Sequence, residues 1–167
     1  MNKWIYLAMA YLGSTRAQSK LGQYYLDKSD RNTALKWLNC AAEKMDAASI
    51  VALGYCHYLD DDIENALRYY KQAELLENAE ASYYMGVLYF SGEGVPENHE
   101  KAFSYYQLSA ARGFPEAMHM LAWCCERGVG TEKDIPRAME LWNKASAHGV
   151  KEAKEALQKY QNVIIEE

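Results

Sequence analysis

Apolar and small residues recur along the chain in two alternating helical stripes. The first stripe reads Ala17, Leu21, Gly22 and Tyr25, then Ser49, Leu53, Gly54 and His57. It continues as Ala81, Met85, Gly86 and Tyr89, then Ala117, Leu121, Ala122 and Cys125. The spacing i, i+4, i+5, i+8 lines one face of a helix. The second stripe reads Ala34, Trp37, Leu38, Ala41 and Ala42. Its later copies are Ala66, Tyr69, Tyr70 and Ala73; Ala102, Tyr105, Tyr106 and Ala110; and Ala138, Leu141, Trp142 and Ala145. Alternating small and aromatic residues lets neighbouring helices interlock at high density. The pattern therefore predicts four units of two helices each.

The register between units is strict. Gly22, Gly54, Gly86 and Ala122 are separated by 32, 32 and 36 residues, and Ala34, Ala66, Ala102 and Ala138 each precede the next first-helix small residue by 15. Self-similarity at this period signals stacked helical hairpins. A glycine in mid-helix costs about 1 kcal/mol of propensity, so its recurrence implies that another helix must come close there. The interval from anchor to second helix is 12 residues in the first two units and 16 in the last two. The additional residues fall in Ser91–Pro96 and Arg127–Thr131, so the helix faces are unchanged.

The repeats span 17–45, 49–77, 81–113 and 117–149, with Gly113 and Gly149 just past helix ends. Counting back from Ala17 makes 2–13 a half-unit whose residues 2–12 are a second helix, in which Tyr6 matches Tyr70, Tyr106 and Trp142. Residues 151–161 read as a further first helix, polar on its other faces through Lys151, Glu152, Lys154, Glu155, Gln158 and Lys159. That is a cap for the end of an array. The expectation is one all-α domain over residues 1–167, with about ten helices.

Half of the residues are apolar and a quarter are charged with both signs mixed, which argues for a packed core over disorder. The net charge of −5, with Lys and Arg scattered singly, argues against nucleic acid and suits a basic protein partner. Cys40, Cys56, Cys124 and Cys125 form no CxxC pair and no zinc spacing. Read as reduced thiols, they place the chain in the cytoplasm. Met1-Asn2-Lys3 before the apolar run Trp4–Leu12 also resembles a short export signal, which would place it in the periplasm or outside the cell. No run approaches the length of a membrane span.

The motifs Ala-x3-Leu-Gly-x2-Tyr, Gly-x-Gly-Val, Lys-Ala-x2-Tyr-Tyr and Ala-Ala-x-Gly resemble the Sel-one-like repeat family, relatives of tetratricopeptide repeats. Residues 81–113 match best. Residues 117–149 follow with Ala122 for Gly and Cys125 for Tyr, while the first two units lack the Gly-x-Gly-Val loop. The resemblance implies a right-handed α-solenoid and an adaptor role. Some secreted bacterial members pair cysteines in every repeat and are associated with β-lactam binding. This chain lacks that pairing and any Ser-x2-Lys motif.

The remaining candidate chemistry is sparse. Gly92-Glu93-Gly94 and Gly128-Val129-Gly130 do not continue as phosphate-binding loops and read as turns. Asp60-Asp61-Asp62 with Glu64 lacks the calcium-loop pattern and reads as a helix cap. His57 stands at a core Tyr position. His57, His99, His119 and His148 form no HExxH motif, and no nucleophile has a base placed beside it. No cofactor, metal or catalytic group is expected.

In the family's fold the first helices line the concave face. Positions three before, one after and four after each anchor then lie off the core stripe. They are Ser19, Gln23 and Leu26; Val51, Tyr55 and Tyr58; Tyr83, Val87 and Phe90; His119, Trp123 and Glu126. The middle rows are wholly apolar or aromatic, as in a partner-binding groove; the alternatives are packing between adjacent first helices or cover by the terminal helix of a tight superhelix. The expectation is non-enzymatic binding of a protein or extended peptide. Aromatic anchors would be Tyr55, Tyr58, Tyr83, Phe90 and Trp123, with His119 and Glu126 as polar contacts. A bacterial immunity protein that neutralises a basic toxin or effector fits this reading. A regulatory adaptor of a secretion or signalling complex is the alternative, and a hydrolase of the disulfide-rich branch is the rival from another class.

Overall fold

The computed structural model describes the backbone of residues 3–165 and the side chains of residues 3–160. Asn2, at the start of the expected half-unit, lies outside these residues. Among them are ten helices and no strands: α1 Lys3–Tyr11, α2 Thr15–Asp27, α3 Arg31–Ala42, α4 Ala47–Leu59, α5 Ile63–Glu74, α6 Ala79–Ser91, α7 His99–Ala111, α8 Pro115–Arg127, α9 Ile135–Ala147 and α10 Lys151–Ile165. They fall into two compact units, Met1–Asn78 and Ala79–Glu167.

In the first unit α2 pairs with α3 and α4 with α5, while α1 packs on α2 and α3 on α4. The anchors act as expected. A Cβ on Gly22 would lie 2.5 Å from Leu38 Cδ2, and one on Gly54 would lie 2.8 Å from Tyr70 Cε1. Each glycine is thus the floor on which the large residue of the partner helix rests. Ala10, Ala17 and Leu21 form a buried cluster with Tyr6, Leu7, Tyr25 and Trp37 against it. Tyr6 does face this core, but α1 buries Ala10 and leaves Met9 exposed.

In the second unit α6 pairs with α7 and α8 with α9, with α7 packed on α8 and α9 on α10. A Cβ on Gly86 would lie 2.6 Å from Tyr106 Cε1. In the last repeat Ala122 shares a buried cluster with Cys125, Ala138, Trp142, Ala145, Ala153 and Leu157. One assignment is corrected. The second stripe of the third repeat buries Ser109, the true counterpart of Ala73 and Ala145, rather than Ala110. The hydroxyl tolerates burial because it donates to the carbonyl of Ala79 at 2.6 Å.

Six helix starts share one cap, while α8 starts after Phe114 without one and has Pro115 in its first turn. Ser14, Asp30, Asp46, Asp62, Asn98 and Asp134 each accept the backbone N–H three residues on. Each such cap contributes about 1 kcal/mol. Within the acidic run Asp62 is the cap, and hydrogen bonds from Asn65 and His57 hold its carboxyl below the usual carboxylate range.

Candidate partner-binding site

The residues three before the first three anchors are tied to or packed on neighbouring elements. Ser19 donates to Asp46 Oδ2 at 2.9 Å and accepts from Ser49 Oγ at 3.0 Å, so it is tied to α4. Tyr83 sits against Tyr106 and Phe114, with ring centroids 6.0 and 5.3 Å away. Burial raises its phenol above the ordinary value. Val51, expected in the groove, is 1% exposed and therefore a core residue. In the first unit the physical reason is that α2 and α4 pack along this edge, so a face opposite the helix's own partner is still covered by its neighbour.

The residues one and four after the anchors are more open. In the first unit Gln23 and Tyr55 come together with Leu26, Arg31 and Leu59 around a cavity of about 440 Å³. Tyr55 and Leu59 are exposed, while Tyr58 is half-buried. Arg31 closes one side by donating to the Cys56 carbonyl and to Asp60.

In the second unit Val87, Phe90 and Trp123 pack partly buried over a core that includes Tyr106, Leu121 and Cys124. Phe90 meets Trp123 edge to face at 5.6 Å, and the Arg127 guanidinium lies 5.1 Å from the Trp123 ring centre. Trp123 also borders a cleft of about 510 Å³ between α8 and α10. His119, Trp123 and Glu126 line it, as do Trp142, Glu152, Glu155, Lys159 and Tyr160. The structure thus brings three of the expected residues together on one wall. The opposite wall is α10, which the sequence presents as a polar cap and as a possible cover for these side chains. A signal was present: Glu152, Glu155, Ala156, Lys159 and Tyr160 fall at helical spacing on one face.

The cleft's polar groups are partly engaged. Glu126 Oε1 accepts from Tyr160 at 2.7 Å, and its second oxygen lies 3.7 Å from Arg127 Nε. His119 Nδ1 and Trp142 Nε1 are buried without a hydrogen-bond partner. Burial pulls the His119 imidazole below its usual value, against the opposing influence of Glu152, which favours the neutral ring at pH 7.

Elsewhere the chemistry is structural. His57 stacks on Tyr69 at 5.3 Å and bonds Asp62 at 2.9 Å. All four cysteines are free thiols, and burial pushes Cys124 up to about 12, a protonated and unreactive state. The Gly-x-Gly segments are turns with positive φ at Gly92, Gly94, Gly128 and Gly130. Among the described residues no His, Cys, Asp or Glu cluster suits a metal, and no helix is long and apolar enough to cross a membrane.

The chain belongs to the Sel1 repeat family: the family's model matches residues 7–44, 47–78, 79–114 and 115–150. It is 30% identical over 104 residues, 62% of its length, to rat DAP3-binding cell death enhancer 1, but spans only 20% of that protein. Among solved structures it resembles a Sel1 repeat protein from Oxalobacter formigenes, with TM-score 0.66 and 32% identity, covering 73% of this chain and 95% of that one. It also resembles c5321, a protective antigen of uropathogenic Escherichia coli with an SLR fold. There the TM-score is 0.76 and the identity 25%, over 92% of this chain and 34% of that one. Sel1 repeats mediate protein–protein interaction and are generally non-enzymatic scaffolds.

Proposed function

We propose that this chain is a non-enzymatic interaction module that binds a protein or extended peptide through the exposed faces of its first helices. Trp123 and the α8–α10 cleft form the principal anchor. The observation that carries the reading is the half-buried Trp123 ring beside an open cleft of about 510 Å³. An aromatic ring next to a concave, partly polar wall is the usual form of an interface hot spot. Gln23 and Tyr55 supply a second contact region in the first unit.

Two finer readings remain. A bacterial immunity protein that occupies a basic toxin is supported by the net charge of −5. A regulatory adaptor is supported by a relative whose name records binding to a protein partner. Buried free thiols favour a reducing compartment such as the cytoplasm for either one.

The test is affinity capture of a partner from the native cell, followed by calorimetry with Trp123→Ala. Loss of this anchor should weaken binding by about 2–4 kcal/mol. Because the ring is half-buried, folding stability should fall by only about 1–2 kcal/mol. A stability loss of about 3–5 kcal/mol with normal partner binding would make Trp123 a core residue and remove the anchor.

A further inference from the structure

The chemistry of the α8–α10 cleft narrows what it can hold; this step rests on the interaction-module reading. Glu126 is already shared between Tyr160 and Arg127. Glu152 and Glu155 line the same cleft in no ion pair among the described residues, and the remaining cation on the wall is Lys159. Three carboxylates against Arg127 and Lys159 leave the cleft with one net negative charge. Trp123 already carries a cation on one face, which demonstrates that its ring suits such a group. A neutral His119 protonated on Nε2 offers Nδ1 as an acceptor.

A second observation is independent of the charges. Trp142 is 1% exposed, lies on the cleft wall, and its Nε1–H has no acceptor. A buried donor left unmade is costly, so an occupant that supplies a carbonyl oxygen gains by meeting it. One kind of residue satisfies both demands. An arginine or lysine in an extended chain has a positive head group, an apolar stem that can lie along aromatic rings, and a backbone carbonyl.

We propose that the α8–α10 cleft binds a basic side chain of an extended peptide, its head group at Glu152 and Glu155 and its backbone carbonyl directed to Trp142. Arginine is preferred over lysine because its planar fork can engage two acceptors at once.

The test uses the full chain labelled with nitrogen-15. The four indole N–H signals are assigned by elimination with Trp4→Phe, Trp37→Phe and Trp123→Phe. Blocked pentapeptides acetyl-Gly-Ala-X-Ala-Gly-amide, with X as Arg, Lys, Gln or Glu, are titrated to millimolar concentration. The Arg peptide should move the Trp142 signal and bind at least tenfold more tightly than the Gln peptide. The Glu152→Gln/Glu155→Gln variant changes two exposed residues, so it should fold normally and lose that tenfold preference. Equal or stronger movement of Trp142 by the Glu peptide would overturn the proposal, because Arg127 and Lys159 would then set the charge preference. Arg-peptide binding that leaves Trp142 unmoved would overturn it too, as would no binding by any peptide. The broader reading fails separately, if Trp123→Ala leaves a captured partner's affinity unchanged.

Discussion

The two compact units solve the same packing problem with different turns. In residues 17–78 four turn positions hold non-glycine residues in the left-handed region: Ser29, Met45, Asp61 and Glu77, with φ between 57° and 61°. In residues 79–150 every positive φ falls on a glycine: Gly92, Gly94, Gly113, Gly128, Gly130 and Gly149. A non-glycine residue there costs roughly 1–2 kcal/mol, since Cβ crowds the following carbonyl. The first unit therefore carries backbone strain that the second avoids. The helix faces are the same in both, so repeat identity resides in the small anchors and their large partners. Turn sequence adjusts stability around that constant core.

The largest effect that would sharpen this comparison lies at the anchors. Gly86→Leu should destabilise by about 3 kcal/mol or more, because even a Cβ meets the Tyr106 ring at 2.6 Å and the Ala102 carbonyl at 3.3 Å. Gly22→Leu should cost less, since its nearest neighbour is the flexible tip of Leu38. Urea midpoints for the two variants test the ranking. Equal losses would mean that the rigidity of the opposing side chain does not set the cost.

Next come two glycines of the second unit with different reasons to be glycine. At Gly130 a Cβ would collide with the His99 carbonyl oxygen, and φ is +67°. Gly130→Ala should cost about 2–3 kcal/mol, strain and backbone collision together. At Gly113, with φ +90°, nothing lies within 4 Å. Gly113→Ala should cost only the conformational share, about 1 kcal/mol. Thermal melts of the pair would break the argument if Gly113→Ala proved the worse.

Much of this was legible in the sequence and part of it was not. The anchors, the small-and-aromatic stripes and the cap in the Asp60–Asp62 run follow from period and residue type, because each is decided within one hairpin. The burial of Val51 lies off its helix's own core stripe, so that helix's periodicity does not encode it. Ser109 was passed over for Ala110 because a hydroxyl looks exposed until its acceptor, the Ala79 carbonyl, is known. The α8–α10 cleft was half visible. His119, Trp123 and Glu126 stood out, but α10 read as a polar cap, since a helix face becomes a wall only when the opposite wall is placed. Nothing in the residue types of Met45 or Glu77 announces a left-handed turn; only their register with Gly13, Gly113 and Gly149 does.

The smallest effect tests that register directly. Met45 has φ +61° and is 56% exposed, so its side chain contributes little packing. Met45→Gly relieves the Cβ crowding but loosens the unfolded chain, a penalty of roughly 0.5–1 kcal/mol. Against a strain of about 1–2 kcal/mol the net should be a gain of about 0.5 kcal/mol. The mirror change, Gly113→Met, should lose a little more than Gly113→Ala, because it adds side-chain entropy to the same strain. Urea denaturation of both variants decides the matter. If Met45→Gly destabilises, the turn of the first unit is held by the methionine side chain, and strain does not distinguish the two units at that position.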